Sequence, residues 1–266
     1  MLDGVRGFIF DVDGTLVLAE DPNIGGGMAP IPGAREVLAA LRAERRPFVC
    51  FTNGTGQVPS AQAARLRAVG LDIADEQLLT PANVAAAYIC QHHAGQDVLA
   101  FGNDGLRRPL LAAGVPLADL RQTNAVGVVL IGADPEFTYP KLVAACRAVW
   151  AGAPLLVTSM APYFAARDGR MPSTSGAIAA GIMHATGAEP IVVGKPSPLA
   201  MQVLASRLNL PAAQIAVVGD DIHLEIKMGR EAGVRTVLVL TGSSTETDGP
   251  PPDLVLRSIA GLLELL

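Results

Sequence analysis

The sequence has few charged residues, few aromatic residues and few cysteines. Of its 266 residues, 17% are charged and 4% aromatic, whereas 50% are hydrophobic. Low charge with high apolar content excludes intrinsic disorder as the default, so we expect a chain that folds around a substantial core. The 20 basic and 25 acidic residues give a net charge of −5 without any basic run. This balance argues against nucleic acid or an anionic membrane surface as the partner.

Long apolar runs and a cysteine framework are also missing. Gly, Pro or a charged residue interrupts every apolar run before the roughly 18 residues that a membrane-spanning helix needs. The opening residues, MLDGVR, carry an acid early and lack a basic region followed by a long apolar core, so we expect no secretory signal. Cys50, Cys90 and Cys146 are widely spaced, which predicts reduced thiols packed as small hydrophobic residues. We therefore expect a cytoplasmic protein with no membrane partner.

Short apolar runs alternate with Ala- and Leu-rich helical patterns along the chain. This alternation is typical of βαβ units and predicts an α/β fold with a mainly parallel, Rossmann-like sheet. The predicted strands are 8–10, 48–52, 98–101, 126–131, 155–158, 191–193, 215–218 and 236–240, and the predicted helices are 35–44, 60–69, 106–113, 139–150, 176–186, 199–208 and 224–232. Motifs near the end of the chain complete those near its start. We therefore expect a core domain made of residues 1–80 and 190–266, with an inserted α/β domain at residues 81–189.

An apolar strand leads directly into two acids near the start of the chain. Residues 8–10 are followed by Asp11, Val12, Asp13 and Gly14. Alternation along a strand places both carboxylates on one side, at the end of the strand where parallel sheets bind ligands. Two carboxylates about 4 Å apart repel by roughly 4 kcal/mol at an effective dielectric near 20, so the pair needs a cation or a shared proton. Mg²⁺ is the predicted cofactor, because it prefers oxygen ligands. The alternative is that Asp-Gly merely turns the chain.

Two further predicted strands end in groups that suit a phosphate. Strand 48–52 ends at Thr52, and Asn53 and Gly54 follow; their hydroxyl, amide and backbone N–H groups can donate to phosphate oxygens. Lys195 follows strand 191–193 and precedes two prolines, which predicts a positive charge with restricted freedom. Each signal has an ordinary alternative, since Asn-Gly is a common turn and a lone lysine is usually solvated.

Acids also follow the predicted strand 215–218. Asp220 and Asp221 come directly after Gly219, and Glu225 lies one helical turn further along. Acids at this edge of the sheet could complete the oxygen ligands of a metal ion. The four strand ends thus supply an acid pair, a hydroxyl with an amide, a cation and a second acid pair.

Six motifs carry a resemblance to a known family. They are Asp11-Val12-Asp13-Gly14-Thr15, Pro32-Gly33-Ala34, Thr52-Asn53-Gly54, Asp168-Gly169-Arg170, Gly194-Lys195-Pro196-Ser197-Pro198 and Val218-Gly219-Asp220. The combination resembles the haloacid dehalogenase (HAD) superfamily of phosphoryl-transfer enzymes, and in particular its NagD-like, p-nitrophenyl phosphatase-like type IIA branch, over nearly the whole chain. The resemblance implies a phosphatase with the HAD fold, whose inserted α/β domain is a cap over the catalytic crevice.

The resemblance also implies a role for each site residue. Asp11 would be the nucleophile that forms an aspartyl phosphate, and Asp13 the general acid and then the general base. Because Asp13 can protonate a leaving alcohol, phosphate esters are favoured over haloacids. Asp11, the backbone carbonyl of Asp13, and Asp220 would hold Mg²⁺. Catalytic Lys195, together with Thr52, Asn53 and Gly54, would bind the phosphate oxygens, and Asp221 and Glu225 would orient a metal-bound water or the lysine.

The inserted domain is expected to exclude water and select the leaving group. Its predicted substrate contacts are Tyr163, Phe164, Arg167 and Asp168; alternatively, the aromatic pair packs inside the insert and the charged pair forms a surface loop. The expected partner is a small phosphorylated metabolite, and the resemblance also implies a homodimer formed through the cap.

Two other classes of protein compete with this interpretation. A non-catalytic or regulatory phosphate-binding protein could use the same scaffold, since a fold alone does not establish activity. A receiver-type signalling domain also places acids, a hydroxyl and a lysine at strand ends. Such a domain would have no Asp-x-Asp pair on its first strand, and it would leave about half of this chain unexplained.

Overall fold

The computed structural model describes residues 2–19, 27–121, 125–166, 169–244 and 249–266. The chain divides into two compact units. The core unit contains Met1–Thr52, Ser60–Leu79 and Lys195–Leu266, and the inserted unit contains Asn53–Pro59 and Thr80–Gly194. Residues 53–59, 80 and 190–194, which the sequence interpretation places in the core, thus group with the insert.

Strands and helices alternate along the described residues. The strands are β1 (Gly7–Phe10), β2 (Val17–Ala19), β3 (Met28–Pro30), β4 (Phe48–Phe51), β5 (Leu78–Leu79), β6 (Val98–Phe101), β7 (Val128–Ile131), β8 (Leu155–Val157), β9 (Tyr163–Ala166), β10 (Gly169–Pro172), β11 (Ile191–Val192), β12 (Ile215–Gly219), β13 (Arg235–Val239) and β14 (Leu254–Leu256). The helices are α1 (Ala34–Ala43), α2 (Pro59–Ala68), α3 (Pro81–His92), α4 (Asp104–Ala112), α5 (Tyr139–Trp150), α6 (Thr174–Thr186), α7 (Pro198–Leu208) and α8 (Lys227–Glu231). A π-helical turn occupies Ile222–Ile226, and 3₁₀ segments occupy Asp75–Gln77, Ala212–Gln214 and Ile259–Glu264.

The core unit is built on a parallel sheet with the strand order β14-β13-β12-β1-β4-β5. All four residues of β1 are buried, and Phe8 and Phe10 join the side chains of Leu38 and Leu41 from α1 in one apolar cluster. From β1 the chain goes to β4 and β5 on one side and later to β12, β13 and β14 on the other. The boundary between β1 and β12 is therefore a topological switch point, where α/β sheets bind their ligands. This arrangement confirms the predicted α/β fold class.

The inserted unit has a parallel sheet of its own, with the order β11-β8-β7-β6. Cys146 of α5 and Ile182 of α6 pack with Val129 and Val157 of this sheet in a second apolar cluster. β9 and β10 pair antiparallel as a separate hairpin. Each unit thus closes its own apolar core.

The structure differs from the sequence interpretation at several places. Helix α3 was not predicted, because Thr80-Pro81 looked like a break; proline in fact occupies the first turn of this helix, and Asn83 Oδ1 accepts the Thr80 N–H at 2.9 Å. The predicted helix 224–232 is a π-helical turn followed by the short α8. Cys50 and Cys146 are buried as predicted, but Cys90 is exposed. Among the helices of the described residues, none has both the length and the apolar character needed to cross a membrane.

Candidate active site

Three neighbouring strands of the core sheet end in polar residues of the predicted site. Asp11 follows β1, Thr52 follows β4 and Asp220 follows β12, and β1 lies between the other two strands. The Asp11 N–H donates to the Val218 carbonyl at 2.9 Å, so the backbone ladder continues to the first acid. The parallel sheet therefore brings these residues to one edge, as the sequence interpretation expects.

Lys195 lies in a buried cluster with two carboxylates. Its Nζ donates to Asp11 Oδ1 and lies 2.5 Å from Glu225 Oε1. Lys195, Asp11 and Glu225 are only 4%, 6% and 2% exposed. Burial alone would lower the pKa of Lys195, but the charges of Asp11 and Glu225 raise this pKa above its usual value. The lysine therefore stays charged and holds the Asp11 carboxylate in place.

The turn after β12 positions Glu225. Its Oε2 accepts the backbone N–H of Asp221 at 3.1 Å, while Oε1 faces the lysine. Burial raises the pKa of Glu225, and Lys195 offsets part of this effect. The Asp221 carboxylate accepts the N–H groups of His223 at 2.7 Å and Leu224 at 3.2 Å, so it caps the π-helical turn. Of the two acids predicted to orient the lysine or a water, Glu225 is the one in contact with Lys195.

The Asp220 carboxylate is held against two glycines. Its Oδ2 accepts the Ser243 N–H at 2.6 Å. A Cβ atom at Gly14 would lie 2.5 Å from this oxygen, and one at Gly242 would lie 1.9 Å from it, so neither position has room for a side chain. Gly14 also has a φ of +84°, which favours glycine. Burial raises the pKa of Asp220 to about 7, and the charge of Asp11 adds to this shift.

Part of the Asp13 side chain is exposed to solvent, but many protein atoms surround its carboxyl group. Its pKa rises to about 6, first because this crowding removes hydration and then because Asp11 is nearby. Lys195, Arg65 and a hydrogen bond from Thr52 oppose the rise. A carboxyl group with this pKa can hold or release a proton near neutral pH, which suits an acid–base catalyst.

The predicted metal ligands offer only oxygen atoms, the donors that Mg²⁺ prefers. In the described ranges, no three His, Cys, Asp or Glu side chains form a ready metal site. The predicted metal ligands include only two side chains, those of Asp11 and Asp220. The third ligand, from Asp13, is a backbone carbonyl. The charge of Asp11 raises the pKa of both Asp13 and Asp220, which shows that negative charges crowd this edge of the sheet. These residues therefore fit a divalent cation.

The predicted phosphate-binding residues divide between the two units. Thr52 belongs to the core unit, where it is buried and bonded to Asp13. Asn53 and Gly54 belong to the inserted unit. There, a Cβ atom at Gly194 would lie 2.7 Å from Asn53 Oδ1 and 2.1 Å from the Thr158 carbonyl, so this backbone packs tightly around glycine.

The predicted substrate contacts fall on the β9–β10 hairpin of the inserted unit. Tyr163 begins β9 and is 43% exposed, which disfavours the alternative that it packs inside the insert. Phe164 is the next residue of β9 and pairs with Met171 across the hairpin. Arg167 and Asp168 lie outside the described residues, so their roles stay predictions.

Several residues near the site were missed from the sequence. Gly242 and Ser243 follow β13, whose carboxyl end adjoins that of β12; applying the strand-end criterion to this strand as well would have found them. Arg65 lies on α2 and opposes the pKa rise of Asp13, but no local pattern distinguishes it from a solvated helix residue.

Known proteins match this chain in sequence and in structure. Residues 8–116 match the family described as haloacid dehalogenase-like hydrolase, and residues 192–262 match a second HAD-like hydrolase family. An acid sugar phosphatase of Staphylococcus haemolyticus is 31% identical over 240 residues, which cover 90% of this chain and 87% of the relative.

Two solved structures extend the similarity to the whole fold. The 4-nitrophenylphosphatase of Thermotoga maritima has a TM-score of 0.88 at 28% identity, covering 99% of this chain and 98% of the other. NagD of E. coli K-12 has a TM-score of 0.84 at 25% identity, covering 96% and 97%. The chain therefore belongs to the haloacid dehalogenase-like hydrolases, within which it is a phosphatase of the NagD-like group.

Proposed function

We propose that the protein is a Mg²⁺-dependent phosphomonoesterase that hydrolyses a small phosphorylated metabolite through an aspartyl phosphate on Asp11. The observation that carries this proposal is the buried cluster of Asp11, Lys195 and Glu225 at the switch point of the core sheet. A carboxylate attacking an anionic phosphate is repelled by it. Lys195 reduces this repulsion, because its positive charge lies against the carboxylate before the substrate arrives.

In the first step, an Asp11 carboxylate oxygen forms a bond to phosphorus while the bond from phosphorus to the ester oxygen breaks. The leaving alkoxide takes the proton of Asp13, whose raised pKa keeps part of the population protonated near neutral pH. Thr52 and Lys195 donate to the phosphate oxygens, with Asn53 and Gly54 as the further donors that the sequence predicts. The products of this step are the free alcohol and the aspartyl phosphate.

In the second step, a water molecule attacks the phosphorus of the aspartyl phosphate. The Asp13 carboxylate takes a proton from this water, and the bond from phosphorus to the Asp11 oxygen breaks. Inorganic phosphate leaves, and both acids return to their starting protonation states. Splitting one difficult hydrolysis into two displacements is the general advantage of a covalent intermediate.

Asp11, the Asp13 carbonyl and Asp220 would hold Mg²⁺, with Asp221 and Glu225 as supporting groups. When bound, this ion supplies positive charge that stabilises the transferring phosphate oxygens. Ser243 and the two glycines around Asp220 fix its carboxylate without a further side chain, which suits a ligand that must not move.

The substrate class is inferred from the relatives and from the hairpin of the inserted unit. One relative is named an acid sugar phosphatase and a structural neighbour a 4-nitrophenylphosphatase. We infer that a sugar phosphate or a similar small phosphate ester is the substrate, with Tyr163, Phe164, Arg167 and Asp168 as candidate contacts to its leaving group.

A homodimer through the inserted unit completes the proposal. Tyr139 and Trp150 of α5 are 76% and 64% exposed, and their spacing of 11 residues places them on one face of the helix. Light scattering should give twice the monomer mass, and a monomer would remove this part of the proposal.

The replacement Asp11→Asn tests the mechanism. It should lower kcat for 4-nitrophenyl phosphate in Mg²⁺ by at least about 10³-fold, because the amide is a poor nucleophile. Acid-quenched turnover of a radiolabelled substrate should leave phosphate on the wild-type protein and none on the variant. Asp72→Asn is the matched control, since the Asp72 carboxylate is largely exposed and pairs with Arg42 at the surface. Full activity of Asp11→Asn would refute the assigned nucleophile, and a wild-type protein without multiple turnovers would indicate a phosphate-binding protein instead.

A further inference from the structure

Residues 241–244, here called the β13 loop, hold Asp220 at both its side chain and its backbone. The Ser243 N–H donates to Asp220 Oδ2 at 2.6 Å, and the Ser244 N–H donates to the Asp220 carbonyl at 3.0 Å. Ser244 Oγ also accepts the N–H of Ile222 at 3.0 Å, at the start of the turn that carries Glu225. One short loop therefore fixes the proposed metal ligand and the first residue of the π-helical turn.

The same loop reaches the first acid motif through Thr241. Its Oγ1 donates to the Gly14 carbonyl at 2.6 Å, although the two residues are 227 positions apart. The Gly14 N–H donates to the Val17 carbonyl at 2.8 Å. Because a trans peptide is planar, the Asp13 carbonyl points opposite to this N–H, away from Val17. Hydrogen bonds thus fix both peptide units beside Gly14, and with them the direction of the Asp13 carbonyl.

Close packing leaves the two ligand segments little room to separate. A Cβ atom at Gly14 would lie 3.1 Å from the Gly242 Cα and 2.5 Å from Asp220 Oδ2. The β13 loop, the Gly14 turn and the Asp220 carboxylate are therefore in direct contact, and Thr241 is a side chain that bonds across this junction.

We propose that Thr241 is a positioning residue for the metal, which holds the Asp13 carbonyl and the Asp220 carboxylate at a fixed separation before the ion binds. This inference rests on the proposed function, since it takes these two groups as metal ligands. A prearranged set of ligands needs less reorganisation on binding and so binds more tightly. The Thr241 hydroxyl contacts the Gly14 backbone and acts on the metal only through its ligands.

The test is Mg²⁺ titration of the metal-free protein by isothermal calorimetry, without substrate. Thr241→Val keeps the shape of the side chain and removes its donor, so it should weaken binding about fivefold, the factor that one neutral hydrogen bond contributes. Thr241→Ser keeps the donor and should bind as the wild type does. In kinetics, Thr241→Val should raise the Mg²⁺ concentration for half-maximal activity and leave kcat at saturating Mg²⁺ close to that of the wild type.

A matched control is available in the inserted unit. Thr186 Oγ1 donates to the Ile182 carbonyl at 2.7 Å, the same type of bond at nearly the same length. Thr186→Val should leave Mg²⁺ binding unchanged. Circular dichroism with thermal unfolding should establish that each variant is folded.

Each outcome decides the inference. Wild-type affinity in folded Thr241→Val would overturn it while leaving the proposed metal site intact. Equal weakening by Thr241→Ser and Thr241→Val would also overturn it, because the hydroxyl would then be irrelevant. A wild-type protein that does not bind Mg²⁺ would overturn the metal site of the proposed function and this inference with it.

Discussion

Replacing Lys195 with methionine should destabilise the protein and abolish its activity. Methionine is unbranched and only one atom shorter than lysine, but Asp11 and Glu225 lose the cation that each of them contacts. All three side chains are nearly fully buried. Breaking a buried ion pair on one side costs about 3–5 kcal/mol, which corresponds to a fall in Tm of roughly 10 °C for a chain of this size.

The pH dependence of this loss identifies its cause. The pKa of Glu225 is already raised by burial, and removing the positive charge of Lys195 raises it further. The folded variant then binds the Glu225 proton more tightly than the unfolded chain does, so its unfolding free energy falls as pH rises above the ordinary glutamate pKa. The difference in Tm between wild type and variant should therefore be larger in mildly alkaline buffer than in mildly acidic buffer.

Calorimetric or dichroic melting of metal-free protein at a series of pH values measures both effects. Lys227→Met is the matched control, because Lys227 lies 4.0 Å from Glu231 and both side chains are about half exposed. This control should lose only about 1 kcal/mol. A Lys195→Met variant with the same Tm as the wild type would refute the electrostatic account of the cluster. A difference in Tm that grows as the pH is lowered would also refute it.

Two further predictions concern Gly242 and Asp13. Gly242→Ala should lower kcat/KM about 100-fold, because its Cβ atom would displace the Asp220 carboxylate by an ångström or more. Gly181→Ala on α6, whose Cβ would meet only Leu142 at 4.0 Å, should retain activity, and an active Gly242→Ala variant would contradict the packing argument. For glycerol phosphate, kcat/KM should fall as pH rises through about 6, where Asp13 loses its proton. Asp13→Asn should lower kcat/KM for glycerol phosphate about 10²–10⁴-fold. The fall should be smaller for 4-nitrophenyl phosphate, because its leaving group needs little protonation. Equal falls for both esters would argue against Asp13 as the general acid.

Much of the fold could be predicted because strong local patterns coincide with the final structure. Strand β1 is apolar at nearly every position, and its burial between β12 and β4 requires that composition. Strands β2, β3 and β14 have only three residues each. Three residues are too few to show the alternation of apolar and polar residues that predicts a strand. Helix α3 was missed for another reason: its Thr-Pro start marks a helix N-terminus as well as a break.

The site was predictable where sheet topology alone brings residues together. Asp11, Thr52 and Asp220 each follow a strand, and adjacent parallel strands place their ends side by side. Local sequence does not distinguish Asp221, which caps a turn, from Asp220, which faces the glycines, because both are acids after the same strand. The contact of Thr241 with Gly14 joins residues 227 positions apart and depends on the packing of two loops, which no short motif encodes.

The order of the strands in the sheet has a consequence for the growing polypeptide. β1 is made first, but its neighbour β12 begins about 200 residues later, so the ribosome needs roughly 10–40 s at 5–20 residues per second to supply it. During that interval one edge of this fully buried strand has no β12 to pair with, and unpaired apolar edges promote aggregation. Polypeptides released before β12 has emerged therefore lack both the Asp220 ligand and the strand that covers this edge, which makes them inactive and prone to self-association.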